Sequence, residues 1–229
     1  FAADSARATA PGQEPFTAVL PYLNSKQRPD LYLLLGDNPA NRYGEERWNR
    51  AFFARGCKAR YLNGVTNDSQ GSEWAGKCLH WLGAAGVKGA SVTKPYKLSF
   101  PSPTNTLHWA GGKWERFNTD GPAVAEVLKR HGASAGERVV VAGGGGAARS
   151  VEAILAEEFS TKLWVREDGK LGPCPEGEIL VSTWPGQYQE ALVQALSRPF
   201  RLVVDAQLSR PAQESPLAKW SAEVGAAYS

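Results

Sequence analysis

The chain has 229 residues, of which 42% are hydrophobic and 21% charged, a composition typical of a globular protein rather than a disordered one. Its net charge of +3 comes from interspersed signs without a basic stripe, which argues against nucleic acid as a partner. No apolar segment approaches the roughly 18 to 20 residues that span a bilayer, and no signal-peptide pattern opens the chain. We therefore expect a cytoplasmic protein with no membrane contact, built of one large or two small α/β domains.

The cysteines argue against a metal site. Cys57, Cys78 and Cys174 are an odd number at wide spacings, with no CxxC pair and no nearby histidine cluster. Thiols that are not part of such a cluster commonly behave as small apolar side chains. We expect reduced, structural cysteines and no bound metal.

Residues 1–29 form a polar lead-in, after which strand-like and helical patterns alternate. The apolar run that begins at Asp30, DLYLLLG, predicts a buried strand. KARYLNGV and VKGASVT predict two further strands, preceded by the helical patterns EERWNRAFFARG and SEWAGKCLHWLGAAG. NTLHWAGGKWERFN predicts a hairpin with Gly111 and Gly112 at its turn. Strands separated by helices indicate right-handed βαβ units and a mainly parallel sheet.

A predicted helix, DGPAVAEVLKRHG, leads into a second series of strands that begins at Arg138. Asp120 lies near the expected N-cap of this helix, and Pro122 lies in its first turn. ERVVVAGGGGAARSVEAILAEE predicts a strand, a glycine loop and a helix. TKLWVRED, GEILVSTWPG and FRLVVDAQ predict three more strands, and SPLAKWSAEVG predicts a last helix. The chain therefore divides near residues 118–136 into two α/β lobes.

The segment VVVAGGGGAARS has the pattern of a dinucleotide-binding loop. Gly143, Gly145 and Ala148 fit G-x-G-x-x-G/A directly after a strand, and Gly146 stands where the next helix opens. The first glycine allows a tight turn, the second lets a pyrophosphate approach the backbone, and the small third residue lets helix and strand pack closely. The N–H groups of the helix N-terminus would then bind the phosphates. The sequence alone leaves open the alternative that this segment is a flexible glycine-rich loop.

The end of the next predicted strand, LWVRED, bears on the choice of dinucleotide. An acidic residue there favours the 2′-hydroxyl of NAD, whereas an arginine favours the 2′-phosphate of NADP. The sequence offers Arg166 followed by Glu167, with Arg149 on the glycine-loop helix as a second phosphate partner. We favour NADP; the alternative is that both arginines are solvated surface charges.

Two further residues, Lys97 and Asp120, are candidates for proton transfer. SVTKPYK ends a predicted strand, NTD begins a predicted helix, and ligands of open α/β sheets bind beyond the carboxyl ends of strands. A ketone that accepts a hydride develops alkoxide charge, which an ammonium group can stabilise and protonate. The residues alone leave open an N-cap role for Asp120 and a loop charge for Lys97.

Several motifs, in order, resemble those of the shikimate dehydrogenase family from residue 31 to the end of the chain. SVTKPYK is similar to N-V-T-x-P-x-K, PTNTL to A-V-N-T, and RFNTDGPAVAEVL to G-x-N-T-D-G with its helix. AGGGGAARS is similar to G-A-G-G-A-A-R, and ILVSTWPG to I-N-A-T-P-x-G. The resemblance implies two lobes, a substrate-binding and catalytic domain at 30–120 and a Rossmann-like NADP-binding domain at 121–229.

The resemblance also implies an activity, the reversible NADP-dependent reduction of 3-dehydroshikimate to shikimate in aromatic amino acid biosynthesis, without metal. It makes Lys97 and Asp120 the catalytic pair and Thr93 and Asn105 substrate ligands. The cofactor residues that it implies are Gly143, Gly145, Gly146, Ala148, Arg149, Arg166 and Thr183, with Trp184 near the nicotinamide. The lead-in SARATAPGQEPFTAVL resembles the A-P-G-Q end of a type I 3-dehydroquinate dehydratase, which implies a dehydratase fused ahead of residue 30.

The chain departs from the family's pattern in several places. The serine pair of the first turn is absent, so Asn41, Arg42 or Tyr43 would replace it, beside Glu45 and Glu46. The segment LSFPSPT is shorter than its counterpart, and AAYS ends the chain before the family's terminal helices, which predicts a truncated C-terminus. Two alternatives follow: a dehydrogenase for quinate or a similar acid, or a non-catalytic nucleotide- or substrate-binding module fused to a dehydratase.

Overall fold

The computed structural model describes residues 29–36, 43–65, 79–168, 170–206 and 215–229. The chain divides into two compact units, the first ending at Phe117 and the second running from Asn118 to Ser229. This division lies close to the predicted boundary and assigns Asp120 to the second unit. The predicted lead-in, the first turn at 37–42, the start of the second predicted helix and Cys78 lie outside the described residues.

The first unit contains a five-stranded mixed sheet with the order β2-β1-β3-β4-β5. β1 runs parallel to β2 and β3, whereas β4 is antiparallel to both β3 and β5. The predicted hairpin is confirmed, with φ of +56° at Gly111 and +78° at Gly112 in its turn. The strands are β1 (Asp30–Gly36), β2 (Ala59–Val65), β3 (Val87–Val92), β4 (Thr106–Ala110) and β5 (Lys113–Phe117); the helices described are α1 (Tyr43–Ala54) and the part of α2 at 79–84.

One face of this sheet carries the core of the first unit, because alternate residues of a strand point to the same side. The buried side chains on it include Leu31, Leu33, Leu35, Val87, Val92 and Leu107. α1 packs through aromatic contacts, with ring centroids of Tyr32 and Phe52 5.3 Å apart. The Asn49 side chain fixes α1 to β2, since it accepts from the Tyr61 N–H and donates to the Tyr61 C=O, both at 2.8 Å.

The second unit contains a five-stranded sheet with the order β12-β11-β10-β6-β7, and every neighbouring pair is parallel. A separate two-stranded hairpin, β8–β9, follows β7. The strands are β6 (Arg138–Ala142), β7 (Ser160–Trp164), β8 (Arg166–Glu167), β9 (Lys170–Leu171), β10 (Ile179–Ser182), β11 (Leu202–Asp205) and β12 (Ala227–Tyr228). The helices are α3 (Asp120–Arg130), α4 (Gly146–Leu155), α5 (Gln189–Ala195) and α6 (Pro216–Glu223).

The central strands β6 and β10 are buried on both faces, which explains their continuous apolar sequences. Val139 and Val141 face a cluster with residues of α3 and α4, whereas Val140 faces a cluster with residues of α5 and α6. Helices therefore cover both faces of this sheet. The two units confirm the predicted α/β class with parallel and mixed sheets.

Several local elements differ from the sequence predictions. The strand predicted over TKLWVRED ends at Trp164, and Arg166 belongs to the short hairpin instead. The predictions did not include α5 or β12, and β12 pairs with β11 through only two residue pairs. Elements of two to seven residues show too little periodicity to be recognised from a single sequence. Within the described part of the chain, no helix has the length and apolar character that crossing a bilayer requires.

Candidate active site

The first unit brings Thr93, Lys97 and Asn105 together at the carboxyl end of β3 through backbone hydrogen bonds. Thr93 follows β3 directly, and its N–H donates to the Leu35 C=O of β1 at 2.9 Å. The Val92 N–H donates to the Asn105 C=O at 2.7 Å, so the loop before β4 is tied to the end of β3. Parallel strands place ligand-binding groups at this edge of a sheet.

Lys97 lies in a 3₁₀ turn, Tyr96–Leu98, that follows Thr93. Tyr96 is 2% exposed and anchors this turn in the core, while Lys97 is half-buried. The Tyr96 N–H donates to the Thr93 C=O at 2.9 Å, and the Thr104 N–H donates to the Lys97 C=O at 3.0 Å. The turn therefore links the lysine to Thr93 on one side and to the Asn105 loop on the other.

Gly36 makes room for Thr93. A Cβ atom on Gly36 would overlap Thr93 Cγ2 and would lie 3.3 Å from the Lys94 C=O oxygen. Because a β-branched side chain is stiff at χ1, Thr93 could not avoid that atom by a small adjustment. Sequence reasoning identified Gly36 only as the residue that closes an apolar run; the contact that makes a glycine necessary comes from a segment distant in the chain.

The region expected to bind the substrate carboxylate is described only from α1 onward. Asn41 and Arg42 lie outside the described residues, and Tyr43 is the first residue of α1. Glu45, which the sequence places in the first helical turn, is 6% exposed. Burial, together with the nearby Glu45 carboxylate, raises the pKa of Tyr61 above its ordinary value. Glu45 is therefore buried close to Tyr61 of β2.

In the second unit, Gly143 is required by both its conformation and its neighbours. Its φ of +142° disfavours other residues, and a Cβ atom there would overlap Thr183 Oγ1 and lie 3.1 Å from Ala148 Cβ. The Thr183 hydroxyl and N–H both donate to the Ala142 C=O, at 3.1 and 3.0 Å. Ala148 is fully buried. Gly143, Ala148 and Thr183 therefore pack closely together where the chain leaves β6.

Gly145 and Gly146 form the entrance to α4. Gly145 is the N-cap residue, is exposed, and has no atom within 4 Å of the Cβ position that it lacks. Gly146 is the first helical residue, and the first turn carries no acidic side chain. Arg149 is exposed one turn further along. The N-terminal N–H groups of a helix have no intrahelical partner, so this open, glycine-lined entrance fits a phosphate.

The strand order places this entrance at a topological switch point. The chain passes from β6 through α4 to β7 on one side of β6, and then crosses to β10 on the other side. Ligands of open α/β sheets bind where the strand order reverses in this way. Gly143 directly follows β6 and Thr183 directly follows β10, so both lie at that point.

Arg166 does not extend from the β7 end as predicted; it contacts two aromatic rings. Its Cζ atom lies 5.2 Å from the Trp184 ring centroid and 4.6 Å from that of Tyr188. The rings themselves meet edge to face at 6.2 Å. The resemblance implied that Trp184 lies near the nicotinamide; in the second unit its ring contacts the arginine.

Asp120 is the first residue of α3 rather than its cap. Thr119 is the N-cap residue and makes no capping bond through its side chain, while the Asp120 N–H donates to Asn118 Oδ1 at 2.9 Å. Gly121 lies against α4, since a Cβ there would be 2.6 Å from Ile154 Cγ1 and 2.7 Å from the Ser150 C=O oxygen. The packing of α3 against α4 therefore helps to fix the position of Asp120, which is the first residue of the helix.

Sequence reasoning missed a polar cluster at the carboxyl end of β11. Asp205 Oδ2 accepts from Gln189 Nε2 at 2.6 Å and from the Tyr228 hydroxyl at 2.9 Å, and Ser215 Oγ lies 3.1 Å from it. Burial, reinforced by the Asp205 carboxylate, raises the pKa of Tyr228 to about 12. The cluster joins β11, α5, α6 and β12 beside the strand end that carries Thr183. Residues from four short elements meet in it, so no local motif could reveal it.

Among the described residues, the cysteines and other potential metal ligands form no additional site. Cys57 is exposed, Cys174 is buried, and both are free thiols. Burial raises the pKa of the Cys174 thiol. In the described ranges, no three His, Cys, Asp or Glu side chains are grouped so that they could hold a metal ion.

The fold and the glycine loop define a two-unit α/β protein with a Rossmann-like second unit. A crystal structure of a shikimate dehydrogenase in complex with NADP⁺ matches at a TM-score of 0.70 and 19% identity, over 87% of this chain and 83% of that one. The shikimate dehydrogenase of Aquifex aeolicus matches at 0.70 and 22% identity, over 89% of this chain and 86% of that one. At these identities the likeness shows the fold.

The sequence relatives carry the same name. The chain is 31% identical over 175 residues to the Shikimate dehydrogenase (NADP(+)) of Anaeromyxobacter sp. (strain K), covering 69% of this chain and 60% of the relative. It is 29% identical over 154 residues to that of Haloarcula marismortui, covering 62% of this chain and 57% of the relative. No protein-family model matches. The chain spans about 60% of the length of the first relatives, and these relatives, with the shared fold, support the shikimate dehydrogenase family.

Proposed function

We propose that this chain is an NADP-dependent shikimate dehydrogenase, which reversibly reduces 3-dehydroshikimate to shikimate in aromatic amino acid biosynthesis. The observation that carries the proposal is the grouping of Thr93, Lys97 and Asn105 at the carboxyl end of β3. Backbone hydrogen bonds of 2.7 to 3.0 Å hold the segments that bear them. This grouping supports the proposal, because the segments that carry a lysine and two polar residues meet at one strand end.

In this proposal, Lys97 and Asp120 hydrogen-bond the reacting C–O group, and Thr93 and Asn105 bind the rest of the substrate. Bound NADPH supplies the hydride for reduction. As charge develops on the ketone oxygen, the Lys97 ammonium stabilises it and then donates the proton that completes the alcohol. In the reverse direction, the neutral lysine amine takes that proton back. Asp120 accepts a hydrogen bond from the hydroxyl and so orients it.

The second unit supplies the residues proposed to bind NADP. The N–H groups at the start of α4 bind the pyrophosphate, because Gly145 leaves the approach open. Arg166 binds the 2′-phosphate, since its guanidinium can donate two hydrogen bonds to it. The proposed cofactor residues are Gly143, Gly145, Gly146, Ala148, Arg149, Arg166 and Thr183.

We further propose that residues 1–29 are the end of a fused type I 3-dehydroquinate dehydratase and that the protein acts in the cytoplasm. The A-P-G-Q resemblance at residues 10–13, in the lead-in before the first predicted strand, supports the fusion. Such a fusion would place two enzymes of one pathway on a single polypeptide. Sequencing of the full-length transcript tests the proposed fusion. We expect a dehydratase reading frame upstream of, and in phase with, the codon for Phe1. An unrelated upstream reading frame would contradict the fusion.

Steady-state turnover tests the proposed activity. Shikimate, quinate or buffer is added to the chain with NADP⁺ or NAD⁺, and NADPH or NADH formation is followed by absorbance. We expect shikimate with NADP⁺ to give the highest kcat/KM. Turnover of quinate alone would favour the quinate-type alternative. If neither acid is oxidised while NADP⁺ still raises the melting temperature, the dehydrogenase proposal is wrong and the non-catalytic module replaces it.

A further inference from the structure

In the contact between Arg166, Trp184 and Tyr188, the two aromatic residues are anchored by neighbouring residues, whereas the arginine lies on an exposed strand. Trp184 is 6% exposed and belongs to a buried cluster with Leu192 of α5 and Leu217 of α6. Tyr188 ends a 3₁₀ turn, Gly186–Tyr188, and its N–H donates to the Pro185 C=O at 2.9 Å. Arg166, in contrast, is exposed on the two-residue strand β8. The rings are therefore the fixed partner, and they determine where the guanidinium lies.

The geometry leaves the guanidinium able to bind an anion. Its Cζ atom lies over both rings, 5.2 and 4.6 Å from their centroids. Because the two rings stand at 82° to each other, the planar guanidinium can lie parallel to at most one of them. Arginine carries five N–H donors in the plane of this group, more than two ring contacts can occupy. A guanidinium held against two rings therefore keeps donors for a ligand, and the rings restrict its position before the ligand arrives.

The arginine borders a cavity of about 390 Å³. The described residues that line it carry two positive charges, Arg166 and Lys170, and no carboxylate; the others are Leu171, Trp184, Ala191, Gln194 and Ala195. It is lined by the β8–β9 hairpin and α5, and Arg166 and Trp184, which border it, each lie two residues after the ends of β7 and β10. These strand ends flank the glycine loop at the end of β6, where the strand order reverses. An arginine near this position is the group that distinguishes the 2′-phosphate of NADP from the 2′-hydroxyl of NAD.

We propose that Trp184 and Tyr188 determine the nucleotide preference by holding Arg166 in place for the 2′-phosphate. This inference rests on the proposed NADP dependence and names positioning residues that neither the motif nor the strand-end rule includes. An arginine that is already ordered loses less conformational freedom on binding, which increases affinity. The advantage applies mainly to a ligand that carries the 2′-phosphate, because NAD presents an uncharged hydroxyl in its place.

Calorimetric titration with NADP⁺ and NAD⁺, and with the fragments 2′,5′-ADP and 5′-AMP, tests the proposal without requiring turnover. We expect Arg166→Gln to weaken NADP⁺ about ten- to hundredfold and Tyr188→Leu about three- to tenfold. NAD⁺ and 5′-AMP should change less than about twofold in both variants. Tyr188→Phe keeps the ring and should keep the preference, and Trp184→Leu should reproduce Tyr188→Leu if its melting temperature shows that it folds. Arg130→Gln, at an exposed arginine of α3, is the matched control and should leave both affinities unchanged.

The double variant Arg166→Gln/Tyr188→Leu shows whether the ring acts through the arginine. We expect it to bind NADP⁺ as weakly as Arg166→Gln alone, because the tyrosine would have nothing left to position. Additive losses, or equal losses of NADP⁺ and NAD⁺ in Tyr188→Leu, would overturn the inference and leave the proposed function intact. A wild-type chain that binds neither dinucleotide would overturn the proposed cofactor and this inference with it.

Discussion

In the second unit the candidate site is formed mainly by backbone: Gly143 turns the chain after β6, and Gly145 and Gly146 bring N–H groups to the start of α4 with no side chain in the way. In the first unit it is formed by side chains, and Thr93 and Lys97 reach their positions because backbone hydrogen bonds fold a short turn beyond β3. Different kinds of substitution should therefore impair ligand binding at the two sites. Added atoms should damage the nucleotide site, whereas loss of a functional group should damage the substrate site.

The largest effect is expected from Lys97→Ala, which removes the proposed proton donor. The kcat should fall by about 10²- to 10⁴-fold, the typical contribution of a general acid. Lys94→Ala is the matched control, because Lys94 is exposed two residues before the turn and should leave the kcat within about twofold. NADP⁺ affinity, measured by titration, should be the same in both. Full activity in Lys97→Ala would show that Lys97 is not the proton donor.

Gly143→Ala and Gly145→Ala separate folding from binding in the glycine loop. Alanine at Gly143 must adopt a φ of +142° and displace Thr183, at a cost of about 1–3 kcal/mol. It should lower both the melting temperature and the NADP⁺ affinity. Alanine at Gly145 meets no protein atom within 4 Å, so it should lower only the affinity. Equal melting temperatures in the two variants would contradict the role given to Gly143.

A smaller effect is expected in the first unit from Gly36→Ala, which adds a methyl group against Thr93. Overpacking of this kind costs about 1–3 kcal/mol, and the shikimate KM should rise about tenfold with NADP⁺ affinity unchanged. Thr93→Ser removes the Cγ2 atom that would be overlapped and keeps the hydroxyl. The double variant should therefore recover most of the substrate affinity. If it recovers none, Gly36 acts on the site by some route other than Thr93.

The smallest effect should come from an exposed ion pair away from both sites. Hydrogen bonds from Arg138 lower the pKa of Glu178 from its ordinary value of 4.5 to about 2. A lowered pKa means that the pair stabilises the fold above about pH 4.5 and that this contribution is lost as the pH falls toward about 2. Glu178→Gln should flatten the fall of the melting temperature in that window, and salt should reduce the difference. An unchanged acid profile at low salt would contradict the pairing.

The same difference between the units explains what the sequence could predict. The buried strands β1, β6 and β10 show continuous apolar runs, and the glycine loop shows its spacing, so both were predicted from local patterns. The packing of Gly36 against Thr93 and the stacking of Arg166 on Trp184 join residues from separate elements. Such contacts depend on tertiary structure, and no period or motif in a single sequence encodes them. The prediction of one strand through Arg166 was wrong for this reason: the strand ends at Trp164, and Arg166 belongs to a separate short hairpin.

The most direct test of the central claim, that this chain transfers hydride between shikimate and NADP, is a single-turnover labelling experiment. Shikimate deuterated at the carbon that bears the reacting hydroxyl is mixed with excess wild-type chain and NADP⁺, and the nucleotide product is analysed by mass spectrometry. We predict NADPH that carries the deuterium, together with unlabelled 3-dehydroshikimate. Formation of NADPH without deuterium, or of no NADPH from a chain that binds both ligands, would contradict the account.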